Sequence, residues 1–267
     1  AASDVYKRQP SSSCPTIRGF TRLGVFYFQK GSSKMKADDI ITVKREISTA
    51  ILVDGGFYRK RAYYFWGEKS PKERADELYD YCIKLLHNQH EQRYLYRIFY
   101  YDCPPVEKNV YNPLTKRSVD LAKSDEYKWT NEFFKELKSK RKVALRMGRL
   151  SENSLHYNIK PEAFKKLVNG QITISDLTDN DLKLNLEQKG VDMRVGIDIS
   201  SLSFKKQVDQ IILIAGDSDF VPAAKQSRRE GIDFILAPMG ATIKADLYEH
   251  IDGLINRPTK KTEKEVM

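Results

Sequence analysis

The sequence predicts an α/β fold built on a mainly parallel sheet, and three observations carry that expectation. Short apolar runs recur along the chain, at Ala50-Ile51-Leu52-Val53, over residues 94–101 and at Gln210-Ile211-Ile212-Leu213-Ile214-Ala215. Stretches with apolar residues at helical spacing separate them. The first run, and the last from Ile211 onward, are apolar throughout rather than alternating, as expected for strands covered on both faces by helices.

The elements follow in order. Residues 50–53 read as a buried strand that ends in the turn Asp54-Gly55-Gly56. Ser70-Pro71-Lys72-Glu73 supplies an N-cap, a proline at the first helical position and an acidic first turn, so a helix runs to about residue 87. Residues 94–101 are aromatic and β-branched, a second strand that ends at Asp102 before the Pro104-Pro105 break. Residues 118–139 carry Leu121, Trp129, Phe133 and Leu137 at helical spacing and read as one long helix. Residues 142–150 alternate Val143, Leu145 and Met147 with Ala144, Arg146 and Gly148, a third strand with one wetter face. Residues 151–188 are polar and irregular, an insertion with one short helix over 161–168. Lys189-Gly190-Val191-Asp192 opens a helix to about residue 204. Residues 210–215 form the strongest buried-strand signal and end in Gly216-Asp217-Ser218-Asp219-Phe220. A helix to about 230, a Gly231 cap, a fifth strand over 232–237 and an amphipathic helix over 242–251 complete the core.

Composition limits the functional classes. The chain has 267 residues, 40% hydrophobic and 31% charged, enough for a substantial core. No run of 18 apolar residues is present, so a membrane is not an expected partner. The three cysteines, Cys14, Cys82 and Cys103, form no CxxC pair. They argue for a reducing compartment, the cytoplasm, and against a disulfide framework or a thiolate zinc site. The net charge is +10, but residues 1–48 hold nine Lys/Arg against four Asp/Glu and residues 256–267 hold four against two. The basic character is therefore concentrated in the tails. Residues 1–48 read as a poorly ordered extension whose opening Ala1 to Gln9 resembles a translated adapter scar. Residues 49–255 read as the folded domain and 256–267 as a charged tail.

Two of the most apolar strands end in acidic turns. In a parallel sheet all strand C-termini share one edge, where ligands bind. Asp54, Asp217 and Asp219 are therefore expected as neighbours if their strands are adjacent, and Asp192 can join them from the start of its helix. Bare carboxylates repel, and a hard divalent cation, Mg²⁺ or Mn²⁺, relieves that repulsion through oxygen ligands. Asp54 reads equally well as a helix cap or turn residue. Asp198 lies six residues beyond Asp192, about 240° around a helix, and is expected to be peripheral or structural. Asp102 also ends a strand and is a lesser candidate.

Val53-Asp54-Gly55-Gly56-Phe57, Lys189-Gly190-Val191-Asp192 and Ala215-Gly216-Asp217-Ser218-Asp219-Phe220 together resemble the NYN domain of the LabA-like family, relatives of PIN ribonucleases, over about residues 48–255. The resemblance implies a PIN-like, Rossmann-like three-layer α/β/α sandwich with five strands in the order 3-2-1-4-5. It implies metal-dependent cleavage of RNA, with Asp54, Asp192, Asp217 and Asp219 at the acidic positions and Ser218 at a hydroxyl position. Asp198 is carried as an accessory residue. Many members place Asn shortly after the first Asp, where this chain has Gly55-Gly56-Phe57.

A nuclease needs cations for the phosphate backbone. Candidates are Arg59, Lys60 and Arg61, and the run through Lys142 and Arg146. Tyr63, Tyr64, Phe65 and Trp66 offer rings for stacking unpaired bases, which favours single-stranded RNA as partner. The same residues also fit a solvated face with aromatics packed beneath a loop. A homodimer is an allowed assembly. No GxxxxGK[ST] or GxGxxG motif is present, which argues against nucleotide cofactors. The rival to a ribonuclease is a catalytically silent NYN-type module that binds nucleic acid or protein. A phosphatase with Asp54 as nucleophile ranks below both, because position 56, where a second Asp is expected, is Gly.

Overall fold

The computed structural model describes residues 46–87, 91–151, 155–186 and 188–256. Of the expected N-terminal extension, 1–48, residues 1–45 lie outside the described residues, as does the tail from residue 257, while residues 46–48 open the first strand rather than belonging to a loose segment.

Six parallel strands form the main sheet. At its centre lies β1 (Glu46–Asp54), with Ala50, Ile51, Leu52 and Val53 all fully buried. Its side chains alternate between faces, so Ala50 and Leu52 join one core and Ile51 and Val53 the other. From Asp54 the chain passes into α1 (Gly55–Trp66) and then α2 (Pro71–Leu86). Ser70 and Glu73 form a reciprocal capping box at the start of α2. The next strand, β2 (Gln92–Asp102), pairs with β1.

A hairpin of β3 (Asn109–Asn112) and β4 (Arg117–Asp120) precedes α3 (Asp125–Ser139). The single helix expected over 118–139 is therefore shorter. Asp120 caps a turn of 3₁₀ helix, and the Ser124 side chain accepts the Tyr127 N–H at 3.1 Å to start α3 afresh. The cap followed by Asp125 and Glu126 is the local signal for that boundary.

The third strand is also split. Its first part, β5 (Val143–Met147), lies beside β2 at the sheet edge. At Gly148 the chain leaves the sheet through a tight space, where a Cβ would stand 2.8 Å from Val191 and 3.0 Å from the Cys103 sulfur. Then β6 (Arg149–Leu150) pairs antiparallel with β9 (Gln188–Lys189). The insertion between them is more regular than its polarity suggests. There β7 (His156–Ile159) pairs with β8 (Leu182–Asn185), and α4 (Pro161–Val168) occupies the expected span.

The chain returns through α5 (Val191–Phe204) to β10 (Gln210–Ile214), which pairs with the other side of β1. All five residues of β10 are buried. Next come α6 (Val221–Arg229), β11 (Asp233–Leu236), α7 (Ala245–Tyr248) and β12 (Gly253–Leu254). The final helix is shorter than the expected 242–251. A turn at Met239 and Gly240 delays its start, and Asp252 donates its backbone N–H to the Phe234 carbonyl at 2.8 Å as the chain enters β12.

In sheet-strand terms the order is 3-2-1-4-5-6, so the expected five-strand order is extended by one short strand. Two residues with no apolar run give no periodic signal for β12; pairing with β11 creates it. One helical layer packs α5, α6 and α7 against Leu52, Ile211, Leu213 and Leu236. The other packs α1, α2 and α3 against Ile51, Ile98, Tyr100 and Ile212. The result is a Rossmann-like three-layer sandwich with a PIN-like topology.

Candidate acidic site

The strand order reverses direction between β1 and β10, and their C-terminal ends lie side by side, with Val53 paired to Ile214. Asp54 and the turn after β10 therefore share one crevice. No turn separates Asp54 from α1. Asp54 is the helix cap, its Oδ1 accepting the Phe57 N–H at 3.0 Å. The helix can begin at once because position 55 has no side chain. A Cβ there would lie 2.6 Å from the Tyr100 hydroxyl and from the Tyr101 carbonyl oxygen. Phe57 then reaches across to Gly216, where a Cβ would stand 2.5 Å from its ring. The first and last acidic motifs thus interlock through a glycine and an aromatic edge.

Asp217 and Asp219 are exposed on a short 3₁₀ turn, and Asp217 Oδ1 accepts the Asp219 N–H at 3.3 Å. Asp192 comes from the first turn of α5. Gly190, at φ +79°, takes the left-handed conformation that turns the chain from β9 into that helix.

The electrostatics link these groups. Desolvation, then the charges of Asp217 and Asp219, raises Asp192 above the usual carboxylate range. Burial raises Asp54; the Phe57 N–H opposes the rise, and the charges of Asp192 and Asp102 add to it. None of Asp192, Asp217 and Asp219 has an ion-pair partner among the described residues. Their donors are all carboxylate oxygens, the chemistry a hard divalent cation takes. Among the described residues, however, no three acidic, histidine or cysteine side chains already stand grouped to hold an ion. Asp192 is the electrostatic link between Asp54 on one side and Asp217 and Asp219 on the other, without a closed cage among the described residues.

Asp102 belongs to the same neighbourhood but is satisfied internally. Its carboxylate accepts from Arg59 Nη2, from the Tyr100 hydroxyl at 3.0 Å and from the Cys103 N–H at 2.8 Å. Burial still holds it above the usual range against those three bonds. Burial also pushes the Cys103 thiol up to about 11, so it is not a thiolate nucleophile near neutral pH. Asp198 is paired as well: Tyr101 donates its hydroxyl at 2.8 Å and Arg146 Nε lies 3.0 Å away.

The cations expected to hold RNA are scattered. Arg59 is committed to Asp102. Lys60 is exposed. Arg61 donates Nε to the Met239 carbonyl at 2.9 Å and lies over the Tyr64 and Phe65 rings. Arg146 holds Asp198. Lys142 stands at the start of β5, the opposite edge of the sheet from the aspartates, and donates to the Tyr94 hydroxyl at 2.7 Å. The aromatic run lies on α1 rather than a loop. Helical rotation leaves Tyr63 and Tyr64 exposed and turns Trp66 against Tyr81. Nothing in the sequence pattern singles out Lys244, yet it donates its ammonium to the Ser218 hydroxyl at 3.0 Å. On the flank of the crevice, Pro104, Pro105, Leu184 and Leu186 help line a cleft of about 100 Å³ beside Arg59, so the insertion forms one of its walls.

No helix among the described residues is long and apolar enough to cross a membrane. Comparison with curated proteins finds no match. A crystal structure of a Vibrio parahaemolyticus protein of unknown function is similar at a TM-score of 0.42 and 10% identity, covering 81% of this chain and 96% of that one, too distant a likeness to add to the argument. The NYN domain model matches residues 109–255, which include Asp192, Asp217 and Asp219, while Asp54 and Asp102 precede the match. The matched stretch is more than half of the chain and runs from the β3–β4 hairpin through the sixth strand, and the chain belongs to the NYN-domain family.

Proposed function

We propose that the protein is a metal-dependent ribonuclease of the PIN-like, LabA-like kind, hydrolysing phosphodiester bonds of single-stranded RNA. The observation that carries this reading is the pairing of Val53 with Ile214, which sets Asp54 and the turn of Asp217 and Asp219 on adjacent strand ends at the sheet's reversal point, with Asp192 near enough for its charge to raise Asp54 and for Asp217 and Asp219 to raise Asp192 in turn. Repulsion among unpaired acids is costly unless a cation offsets it. The all-oxygen donor set fits Mg²⁺ or Mn²⁺, with those four carboxylates as ligands. When bound, such an ion supplies Lewis-acid polarisation of the phosphodiester and neutralises charge developing on its oxygens.

The chain's own residues supply positioning. Phe57 packed on Gly216 holds the Asp54 and Asp217 motifs in one register. Arg59 keeps Asp102 ionic and inward, so that Asp54 faces the crevice beside a compensated neighbour rather than a second free acid. Ser218 is a hydroxyl donor or acceptor between the two exposed aspartates. Exposed Tyr63 and Tyr64 offer faces for unpaired bases. Asp198 acts as an accessory, holding Arg146 and Tyr101 at the flank.

The test is cleavage of labelled single-stranded RNA with Mn²⁺, with Mg²⁺ and with EDTA, comparing wild type with Asp217→Asn. Metal-dependent cleavage abolished by the substitution supports the reading; cleavage that survives it removes these residues from the reaction. The second reading is a catalytically silent NYN-type module that binds nucleic acid or protein. It draws support from the open arrangement of the acids among the described residues. RNA binding without cleavage, insensitive to EDTA and to Asp217→Asn, selects it.

A further inference from the structure

Lys244 sits where local structure least favours a lysine. It is the N-cap of α7 and makes no side-chain capping bond. Caps favour Ser, Thr, Asp or Asn, whose oxygen accepts a free helix N–H, and a lysine ammonium offers no such acceptor. The side chain turns away from its own helix. Its ammonium donates to the Ser218 hydroxyl at 3.0 Å, in the turn that holds Asp217 and Asp219. It forms no ion pair with either aspartate, and Lys244 is exposed. An ammonium has three donors, and among the described residues one is used.

The loop that carries Lys244 follows β11, so it reaches the same C-terminal edge as Asp54 and the β10 turn. Three of the cations expected to hold RNA are already engaged, Arg59 with Asp102, Arg146 with Asp198 and Arg61 with a backbone carbonyl, while Lys60 and Arg194 are exposed but contact neither Asp217 nor Asp219 nor the turn that carries them. A phosphate entering a crevice of carboxylates needs a cation that faces it and is not consumed by its neighbours.

We propose that Lys244 is a substrate-binding residue, its ammonium donating to a non-bridging oxygen of the RNA phosphate lodged beside Asp217 and Asp219, with Ser218 holding the amine in place. The proposal rests on the ribonuclease reading and deepens it. A residue kept for binding at the expense of its local fold carries a signature: replacing it with a good cap stabilises the protein while weakening function.

The experiment uses the full chain and a labelled single-stranded RNA of mixed sequence. Lys244→Ser and Lys244→Arg are compared with wild type in thermal midpoint and in RNA affinity across a salt series, with Ca²⁺ in place of Mg²⁺ to slow any cleavage. For Lys244→Ser the expected result is an equal or higher midpoint, RNA affinity lowered about threefold to tenfold, and a salt slope reduced by about one contact. Lys244→Arg keeps the charge and recovers most of the affinity. A lower midpoint with unchanged affinity in Lys244→Ser overturns the proposal and makes the Ser218 contact purely structural. Equal loss of affinity in both variants, with an unchanged salt slope, also overturns it. Wild type that binds RNA indifferently to Lys244 leaves the ribonuclease reading standing and removes Lys244 alone. Wild type that neither binds nor cleaves RNA removes both.

Discussion

Arg59 Nη2 lies 3.2 Å from one carboxylate oxygen of Asp102 and 3.1 Å from the other, and the Asp102 side chain has no exposed surface. The arginine that opens the basic run Arg59-Lys60-Arg61 is thereby a structural counter-ion before it is anything else. Removing one partner of a buried pair strands the other charge, at a cost of roughly 3–5 kcal/mol when nothing else compensates. Asp102 keeps the Tyr100 and Cys103 donors, so Arg59→Ala is expected to lose about 2–3 kcal/mol. Chemical denaturation measures it, and a variant as stable as wild type would mean that the pair contributes nothing. Arg59→Lys should lose less.

Lys142 stands at the N-terminal edge of the sheet, paired with Tyr94 and away from every candidate ligand. Lys142→Ala should leave RNA affinity and any cleavage rate within twofold of wild type. A large loss would place the RNA path around the opposite edge.

Asp192 gives a pH-dependent prediction whose sign follows from linkage. Its pKa is higher in the folded state than the ordinary value of 3.8. Between those two values the folded protein binds more protons than the unfolded chain, so the contribution of Asp192 to stability falls as pH rises through the window and stays low above it. Asp192→Asn removes a charge that Asp217 and Asp219 oppose. In metal-free buffer its thermal midpoint should match or exceed that of wild type near pH 7, and the difference should close below the ordinary carboxylate range. A midpoint clearly below that of wild type at pH 7 would show that Asp192 makes a stabilising contact instead.

Gly55 is the tightest point between α1 and β2, with two atoms of Tyr100 and the Tyr101 carbonyl oxygen all 2.6 Å from where a Cβ would be. Both strand and ring are buried, so nothing yields cheaply. Gly55→Ala should destabilise by about 1–3 kcal/mol or more, although alanine suits a helix better than glycine. A stabilised variant would show that the β1–α1 junction can relax.

What the sequence determines on its own is set by short-range chemistry and burial. The runs through Leu52 and Leu213 are apolar on both faces, which only a covered central strand explains, and both lie at the centre of the sheet. The capping box at Ser70 and Glu73 and the helix over 161–168 are equally local and stand where the residues place them. The meeting of Asp54 with the Asp217 turn follows from parallel strand direction once the two strands are neighbours. Tertiary structure decides what depends on partners distant in the chain. The β3–β4 hairpin, the exit at Gly148 and the two-residue β12 exist because another segment supplies their hydrogen bonds or fills their space. The same holds for the charges. A sequence shows that Arg59, Arg146, Lys142 and Lys244 are cations, but only the folded chain decides which carboxylate, ring or hydroxyl each one meets, because Coulomb and hydrogen-bond energies depend on distance and burial rather than on position in the chain.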